Sequence, residues 1–346
     1  MSTIPGGEMN ARLPDFYRGR RVMITGGIGF IGSNLARRLA DLGADVLLVD
    51  SLIPDYGGNL FNIAGIEDRV RVNIADVRQA STMNYLVQDR DIIFNLAGQV
   101  SHIDSMRDPH TDLEINCTSQ LTLLEACRHH NPRAKVVYAS TRQIYGKPDF
   151  LPVTEQHLVR PTDVNGINKA AGEYYHLVYN DVFGVRACGL RLTNVYGPRQ
   201  LLRHNRQGFI AWFIRLALED KEIQVFGDGS QVRDFVYVDD AVEAFLRAGM
   251  CDACNGEAFN VGGSEPTAHR DLVKLLIDVA GTGRYRFVEW PAEKKVIDIG
   301  SFYADSSRFK AACGWTPTVS LRDGLARTLA YYREHLAHYI EPEPAA

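Results

Sequence analysis

The sequence predicts an α/β protein: a doubly wound parallel sheet followed by a smaller α/β lobe. Three observations carry that prediction. Up to about residue 193, short apolar runs alternate with amphipathic stretches, the rhythm of strand and helix in turn. The apolar runs are nearly continuous, as expected of parallel strands covered on both faces. A glycine-rich turn joins the first run to the first amphipathic stretch.

Taken in order, RVMITGG (21–27) is a buried strand entering a tight turn, and GFIGSNLARRLADLG (29–43) is a helix that stops at Gly43. DVLLVD (45–50), VRVNIAD (70–76) and DIIFNLAG (91–98) are the next three strands, with a helical stretch between the last two. A long helix is expected over 109–130, a fifth strand in AKVVYAS (134–140), a helix over 166–182 and a sixth strand in GVRACGLRL (184–192). Beyond 193, Gly, Asn, Arg and Gln become frequent in NVYGPRQLLRHNRQGF (194–209). A helix at 209–219, a strand EIQVF (222–226) and a loop GDGSQVRDFVYVDD (227–240) follow, with a return to the sheet near AFNVGG (258–263). The expected division is therefore 1–193 for a nucleotide-binding domain, with a return to its sheet near 230–263, and 194–346 mainly for a substrate lobe. The tail EPEPAA is expected to fray.

Gly26, Gly29 and Gly32 sit between the first strand and the first helix. One permits the tight turn, one lets the backbone approach a pyrophosphate, and one lets helix and strand pack closely. The helix N-terminus adds free N–H groups and a positive dipole end. Asp50 closes the second strand, 24 residues after Gly26 (50 − 26). Its carboxylate can accept from a ribose 2′-hydroxyl and would repel a 2′-phosphate, so NAD is expected rather than NADP. The pattern is that of a Rossmann-type sheet.

Bulk properties narrow the remaining classes. A net charge of −4 and a pI near 6.2 give no global attraction to nucleic acid or anionic lipid, and neither is expected as a partner. No basic segment leads into an apolar one near the start, and no apolar stretch is long enough to span a bilayer. Six scattered cysteines (117, 127, 188, 251, 254, 313) read as reduced thiols, and a cytoplasmic location is expected. Cys251 and Cys254 form one C-x-x-C with no second pair nearby, so no metal site is expected.

The spacing G-G-x-G-F-x-G, with NLAG at 95–98, resembles the extended short-chain dehydrogenase/reductase family, and within it the nucleotide-sugar epimerases and dehydratases. Asp76-Val77, YASTRQIYG (138–146), RLTNVYGPRQ (191–200) and VFGDGSQVRDFVYVDD (225–240) are similar to further family motifs in the family's order. The resemblance covers about 21–330. It implies an NAD site lined by Gly26, Gly29, Phe30, Ile31, Gly32, Asp50, Ser51, Asp76, Val77, Leu96, Ala97 and Gly98. It puts Thr141, Lys169 and Asn165 at the catalytic positions, with Lys169 also on the nicotinamide ribose. It assigns Gln99, Ser101, Asn194, Arg199, Gln200, Arg233 and Asp298 to the sugar nucleotide. It also implies a homodimer, paired through the helices near 109–130 and 166–182.

One position departs from the family. Its motif is Y-x-x-x-K, with the tyrosine as acid–base for the sugar hydroxyl; here the lysine is Lys169 and Asn165 stands four residues before it. An amide does not exchange a proton near neutral pH. Three readings follow: another base serves (His102, Asp104 or Tyr145), Thr141 works through water, or the site binds without catalysis. Family 4,6-dehydratases carry an Asp-Glu pair after the catalytic Thr, whereas Arg142 and Gln143 stand here, which disfavours that dehydration. SHIDS (101–105) is nevertheless similar to a dehydratase stretch. LAGQVSHIDSMRDPHTDLEIN (96–116) and YGPRQLLRHNRQGFIAWF (196–213) look more like CDP-paratose 2-epimerases. A sugar-nucleotide epimerase is ranked first, a dehydratase or ketoreductase second, and a non-catalytic NAD/sugar-nucleotide binding protein third.

Overall fold

The computed structural model describes residues 6–53, 56–292, 295 and 297–340; the EPEPAA tail lies outside them. The strands, in chain order, are β1 (Arg21–Thr25), β2 (Asp45–Asp50), β3 (Val70–Ile74), β4 (Ile92–Asn95), β5 (Lys135–Thr141), β6 (Ala187–Leu192), β7 (Asn194–Tyr196), β8 (Glu222–Phe226), β9 (Val232–Arg233), β10 (Phe235–Tyr237), β11 (Ala258–Val261), β12 (Thr267–Ala268) and β13 (Arg284–Val288). Seven of them form one parallel sheet in the order β11-β6-β5-β4-β1-β2-β3. This is the Rossmann-type arrangement, and β11 is the late return to the sheet.

Side chains along β1 alternate between the two faces. Val22 and Ile24 enter the core that holds Leu35 and Leu39 of helix Phe30–Asp41 and Phe245 of helix Val238–Met250. Met23 enters the opposite core, with Leu123 and Leu124 of helix Ser119–His130 and Tyr179 of helix Val164–Phe183. Both faces of the central strands are covered, so they carry no polar alternation, whereas edge strand β3 (VRVNI) alternates and is largely exposed.

Two boundaries differ from the sequence expectation for identifiable reasons. β4 stops at Asn95 because the Ala97 amide leaves the ladder for Thr25 Oγ1 at 3.1 Å, while the Leu96 amide is shared between that oxygen at 3.1 Å and the Thr25 carbonyl at 3.2 Å. The helix expected over 109–130 is interrupted: Pro109–Leu113, a π-turn at Glu114–Thr118, then Ser119–His130. The wider turn carries Asn116, whose amide pairs reciprocally with the Gln99 backbone, accepting from N–H at 3.2 Å and donating to C=O at 2.9 Å.

The second lobe is built from helix Phe209–Leu218, the parallel pair β8 and β13, and helix His269–Ala280. Helices Leu321–His335 and Ala337–Ile340 then return to the cofactor side. The Tyr339 hydroxyl donates to Asn62 Oδ1 at 2.8 Å, and Asn62 Nδ2 donates to the Ile28 carbonyl at 2.9 Å. The last described helix is thus tied to the glycine turn through one asparagine.

Candidate functional site

A cleft of about 830 Å³ opens where the strand order reverses between β1 and β4 and extends into the second lobe. On its first wall the glycines are sterically required. A Cβ on Gly32 would lie 2.1 Å from the Gly26 carbonyl oxygen, and one on Gly26 would lie 3.0 Å from the Ala97 nitrogen. Gly26 also has φ +65°, a backbone state that glycine tolerates. Gly29 caps helix Phe30–Asp41 without a side-chain acceptor, which leaves the first turn free to receive a phosphate. Asp50 accepts from the backbone amides of Leu52 at 3.0 Å and Ile28 at 3.3 Å, while burial raises its pKa. Phe30, Ile31, Ser51, Asp76, Val77, Leu96, Ala97 and Gly98 line the same wall. Asp76 is engaged by Arg78, whose Nη2 lies 2.6 Å from Oδ2. The cradle that any added Cβ would fill, with an open helix N-terminus and an acceptor at the end of β2, fits a dinucleotide.

The opposite wall holds Thr141, Asn165 and Lys169. Thr141 ends β5, and its oxygen accepts from the Gln143 amide at 3.2 Å, so its hydroxyl hydrogen is free for a substrate oxygen. Lys169 donates to the Ala139 carbonyl at 3.2 Å. Burial brings its pKa down to about 8, against an opposing pull from Asp112. Asn165 is buried and turned away from proton chemistry: its Nδ2 donates to the Gln99 carbonyl at 2.8 Å and to Asp112 Oδ2 at 3.2 Å.

Asp112, only 1% exposed, organises this region. It accepts from the amides of Asn116 at 3.0 Å, Asn165 at 3.2 Å and Asn168 at 2.7 Å. Sequence reasoning missed it. The signal was a lone Asp beside three asparagines spread over two helices, which no spacing rule joins.

On the substrate side, Ser101, Asn194, Gln200, Arg233 and Asp298 line the cleft. Two expected members do not. Gln99 is buried behind the wall, its Nε2 donating to the Ser101 carbonyl, because the Asn116 amide holds its backbone inward. Arg199 has φ +74° and points away, its Nη1 on Asn34 Oδ1 at 2.8 Å and its guanidinium over the Tyr331 ring. Arg142, Gln143, Gln231 and His269 line the cleft in addition. Burial, joined by the charge of Arg142, lowers the pKa of Arg233 to about 9; burial also lowers Arg142. Asp298 lies 3.7 Å from Arg233, and Arg142 Nη1 is buried without a partner. His269 is pushed down to about 3 by burial and by those two arginines, so it stays neutral. This end of the cleft offers two guanidiniums, Arg142 and Arg233, to a polyanion, with Asp298 and Asp234 beside them. Beyond it the aromatic faces of Phe226 and Trp290 meet with centroids 5.1 Å apart.

The three candidate bases separate clearly. Tyr145 is buried off the cleft: its hydroxyl donates to Asn260 Oδ1 at 2.7 Å and accepts from Arg191 Nη1 at 2.6 Å, and burial pushes its pKa up to about 12. Asp104 is paired with Arg206 at 3.1 Å. His102 alone of the three lines the cleft, with Nδ1 3.0 Å from Asp163 Oδ2. Asp163 is a second residue that sequence reasoning missed.

Comparison with known proteins agrees with this geometry. The model of the family described as "NAD dependent epimerase/dehydratase family" matches residues 22–262. The UDP-glucose 4-epimerase of Mycolicibacterium smegmatis is 34% identical over 314 residues, covering 90% of this chain and 98% of that protein. The CDP-paratose 2-epimerase of Salmonella typhi is 31% identical, covering 89% and 97% of the two chains. The solved UDP-glucose 4-epimerase of Thermotoga maritima, with UDP-glucose, superposes with a TM-score of 0.82 at 31% identity, covering 91% and 99%. Fold, cofactor cradle and near-full-length likeness converge: this chain belongs to the NAD dependent epimerase/dehydratase family, and its cofactor is NAD.

Proposed function

We propose that the protein is a nucleotide-sugar epimerase that oxidises one sugar carbinol transiently and restores it with the opposite configuration. One observation carries the choice of epimerase over dehydratase. Immediately after Thr141 the cleft meets a guanidinium (Arg142) and an amide (Gln143), and Gln143 is committed to Asp163 at 2.8 Å. Neither side chain can protonate a leaving hydroxyl or remove a C–H proton.

NAD, when bound, would supply the hydride-transfer chemistry at the carbinol carbon. The chain's own residues supply the rest. Gly26, Gly29 and Gly32 admit the pyrophosphate and Asp50 the ribose. Lys169 binds the nicotinamide ribose with its remaining hydrogens. Thr141 donates to the reacting oxygen. Arg233 and Asn194 hold the substrate diphosphate, whose charge meets the guanidinium end of the cleft, and Phe226 with Trp290 faces the base. Each turnover returns the cofactor unchanged, so the purified protein is expected to retain NAD.

The protein is further proposed to be a homodimer. Ile167, Tyr174, Val178 and Val182 are exposed on one side of helix Val164–Phe183, Val182 at 66%. Such an apolar stripe is ordinarily covered by a partner.

The test is incubation of the NAD-containing protein with UDP-, CDP-, GDP- and dTDP-sugars. The reading expects an epimeric product with no net NADH. A 4-keto-6-deoxy product overturns it in favour of dehydration. Tight sugar-nucleotide binding without exchange of any sugar hydrogen overturns it in favour of a binding role, which the committed Asn165 amide would fit. Light scattering at micromolar concentration reads the oligomeric state, and a monomer there removes the dimer.

A further inference from the structure

We propose that His102, oriented by Asp163, is the acid–base group of this site in the place of the family tyrosine. The inference rests on the epimerase reading. Asn165 leaves the wall beside Thr141 and Lys169 without a proton-exchanging side chain of its own. Of the other titratable neighbours, Asp112 is spent on three asparagine amides, Asp104 on Arg206, and Tyr145 on Arg191 and Asn260, while Tyr56, which also lines the cleft, is pushed above its ordinary pKa by burial and by Asp104, Asp108 and Asp112. His102 lines the cleft with its side chain 38% exposed, whereas the side chain of Asp163 is fully buried.

The buried partner is held from three sides. Asp163 Oδ1 accepts from the Gly166 amide at 2.7 Å, capping helix Val164–Phe183, and Oδ2 accepts from Gln143 Nε2 at 2.8 Å. His102 Nδ1 lies at ion-pair distance from the same Oδ2, 3.0 Å, outside hydrogen-bond alignment, so the carboxylate acts on that edge of the ring through its charge. Burial alone would raise the Asp163 carboxyl; contact with His102 and these hydrogen bonds bring it below its ordinary value, so it stays ionised. An ionised carboxylate on the Nδ1 edge keeps the proton there in neutral imidazole and leaves Nε2, across the ring, as acceptor toward the cleft. This is the Asp–His logic of general-base catalysis, here without a nucleophile.

The anchors also place the imidazole at the reacting wall. Asp163 stands two residues before Asn165, and Gln143 two residues after Thr141. Ser101 caps the short helix His102–Arg107, its oxygen accepting from the Asp104 amide at 3.1 Å, and so fixes the backbone that carries the ring. In the forward half-reaction the carbinol proton passes from oxygen to Nε2 as the carbonyl forms. In the return half the imidazolium gives that proton back to the same oxygen as the carbinol is re-formed. The ring thus returns the proton it took within each cycle, and the hydride chemistry would be supplied by the bound cofactor.

His102→Ala and His102→Gln are to be compared with the NAD-containing wild type. The expected result is a loss of epimerisation on the order of 100-fold or more. NAD retention and sugar-nucleotide affinity stay unchanged, and added imidazole partly rescues the alanine variant. Asp163→Asn retains a helix cap and tests the positioning role by a readout independent of turnover. Nitrogen NMR of His102 is expected to show the Nδ1–H tautomer in the wild type and a mixture in Asp163→Asn. Wild-type turnover that survives both His102 variants overturns the proposal and leaves the epimerase reading standing. A wild-type His102 protonated on Nε2 overturns it whatever the turnover. A wild type inactive on every sugar nucleotide overturns both.

Discussion

The two walls of the cleft are built on different principles. The cofactor wall is made of backbone: Gly26 and Gly32 are excluded from carrying side chains by atoms 3.0 and 2.1 Å from where a Cβ would sit. The catalytic wall rests on side chains from separate segments, Asp112, Asn116, Asn165 and Lys169, joined through the asparagine amides, the Asp112 carboxylate and the Gln99 backbone behind them. Backbone constraint leaves a local trace in the sequence, and a network does not. The first wall can change little without losing its ligand. The second can exchange a tyrosine for an asparagine and reassign the proton elsewhere.

Four measurements break or sharpen this contrast. The largest effect is expected from Asp112→Ala. It removes an acceptor from each of three buried asparagine amides, two of which keep the Gln99 carbonyl, and should cost about 4 kcal/mol, read from the urea midpoint; a change below 1 kcal/mol would show that the network is ornamental. Gly32→Ala should cost about 3 kcal/mol through overpacking and, unlike Asp112→Ala, should strip NAD from the protein. Retention of NAD by the alanine variant would remove the steric account of that wall.

Comparable in size is an acid effect centred on His176. Burial pushes its pKa down to about 4, with Nδ1 2.7 Å from the Gly172 carbonyl and the ring stacked on Tyr138. Between the ordinary histidine value near 6.5 and 4 the unfolded chain binds a proton that the folded chain refuses. Stability is therefore complete above 6.5 and falls as pH drops toward 4, by about 3 kcal/mol from this residue. Melting curves between pH 7 and 4.5 follow it, and His176→Gln should flatten the slope; an unchanged slope assigns the acid loss elsewhere. The smallest effect is expected from Asn165→Tyr. NAD affinity should shift by no more than about threefold, under 1 kcal/mol, in a titration of cofactor fluorescence. Cofactor loss on that change contradicts the separation of the two walls.

How much was legible follows the same division. The glycine turn, Asp50 and the alternation of strands and helices were readable, because each is a local pattern with one physical solution; Phe30, Ile31, Asp76, Val77 and Leu96 to Gly98 came from family resemblance. Thr141 and Lys169 came from family resemblance, as did Asn194 and Arg233 on the substrate side, and all four line the cleft. Gln99 and Arg199 lie off the cleft, since their orientation depends on Asn116 and Asn34, partners that spacing does not reveal. The π-turn at Glu114–Thr118 was invisible for the same reason: the pairing of Asn116 with a backbone 17 residues away, not helix propensity, accompanies the wider turn. His102 was one of three candidates until Asp163, 61 residues on (163 − 102), distinguished it.

The tie from Tyr339 through Asn62 to Ile28 has a kinetic consequence. It closes a loop of 277 residues onto the phosphate turn, and loop closure on that scale comes late in folding. Dinucleotide that recognises only the finished turn then draws the whole chain toward the native state by mass action. Supplying NAD during refolding should raise the yield of native protein, and loosening the far tether should make that dependence steeper.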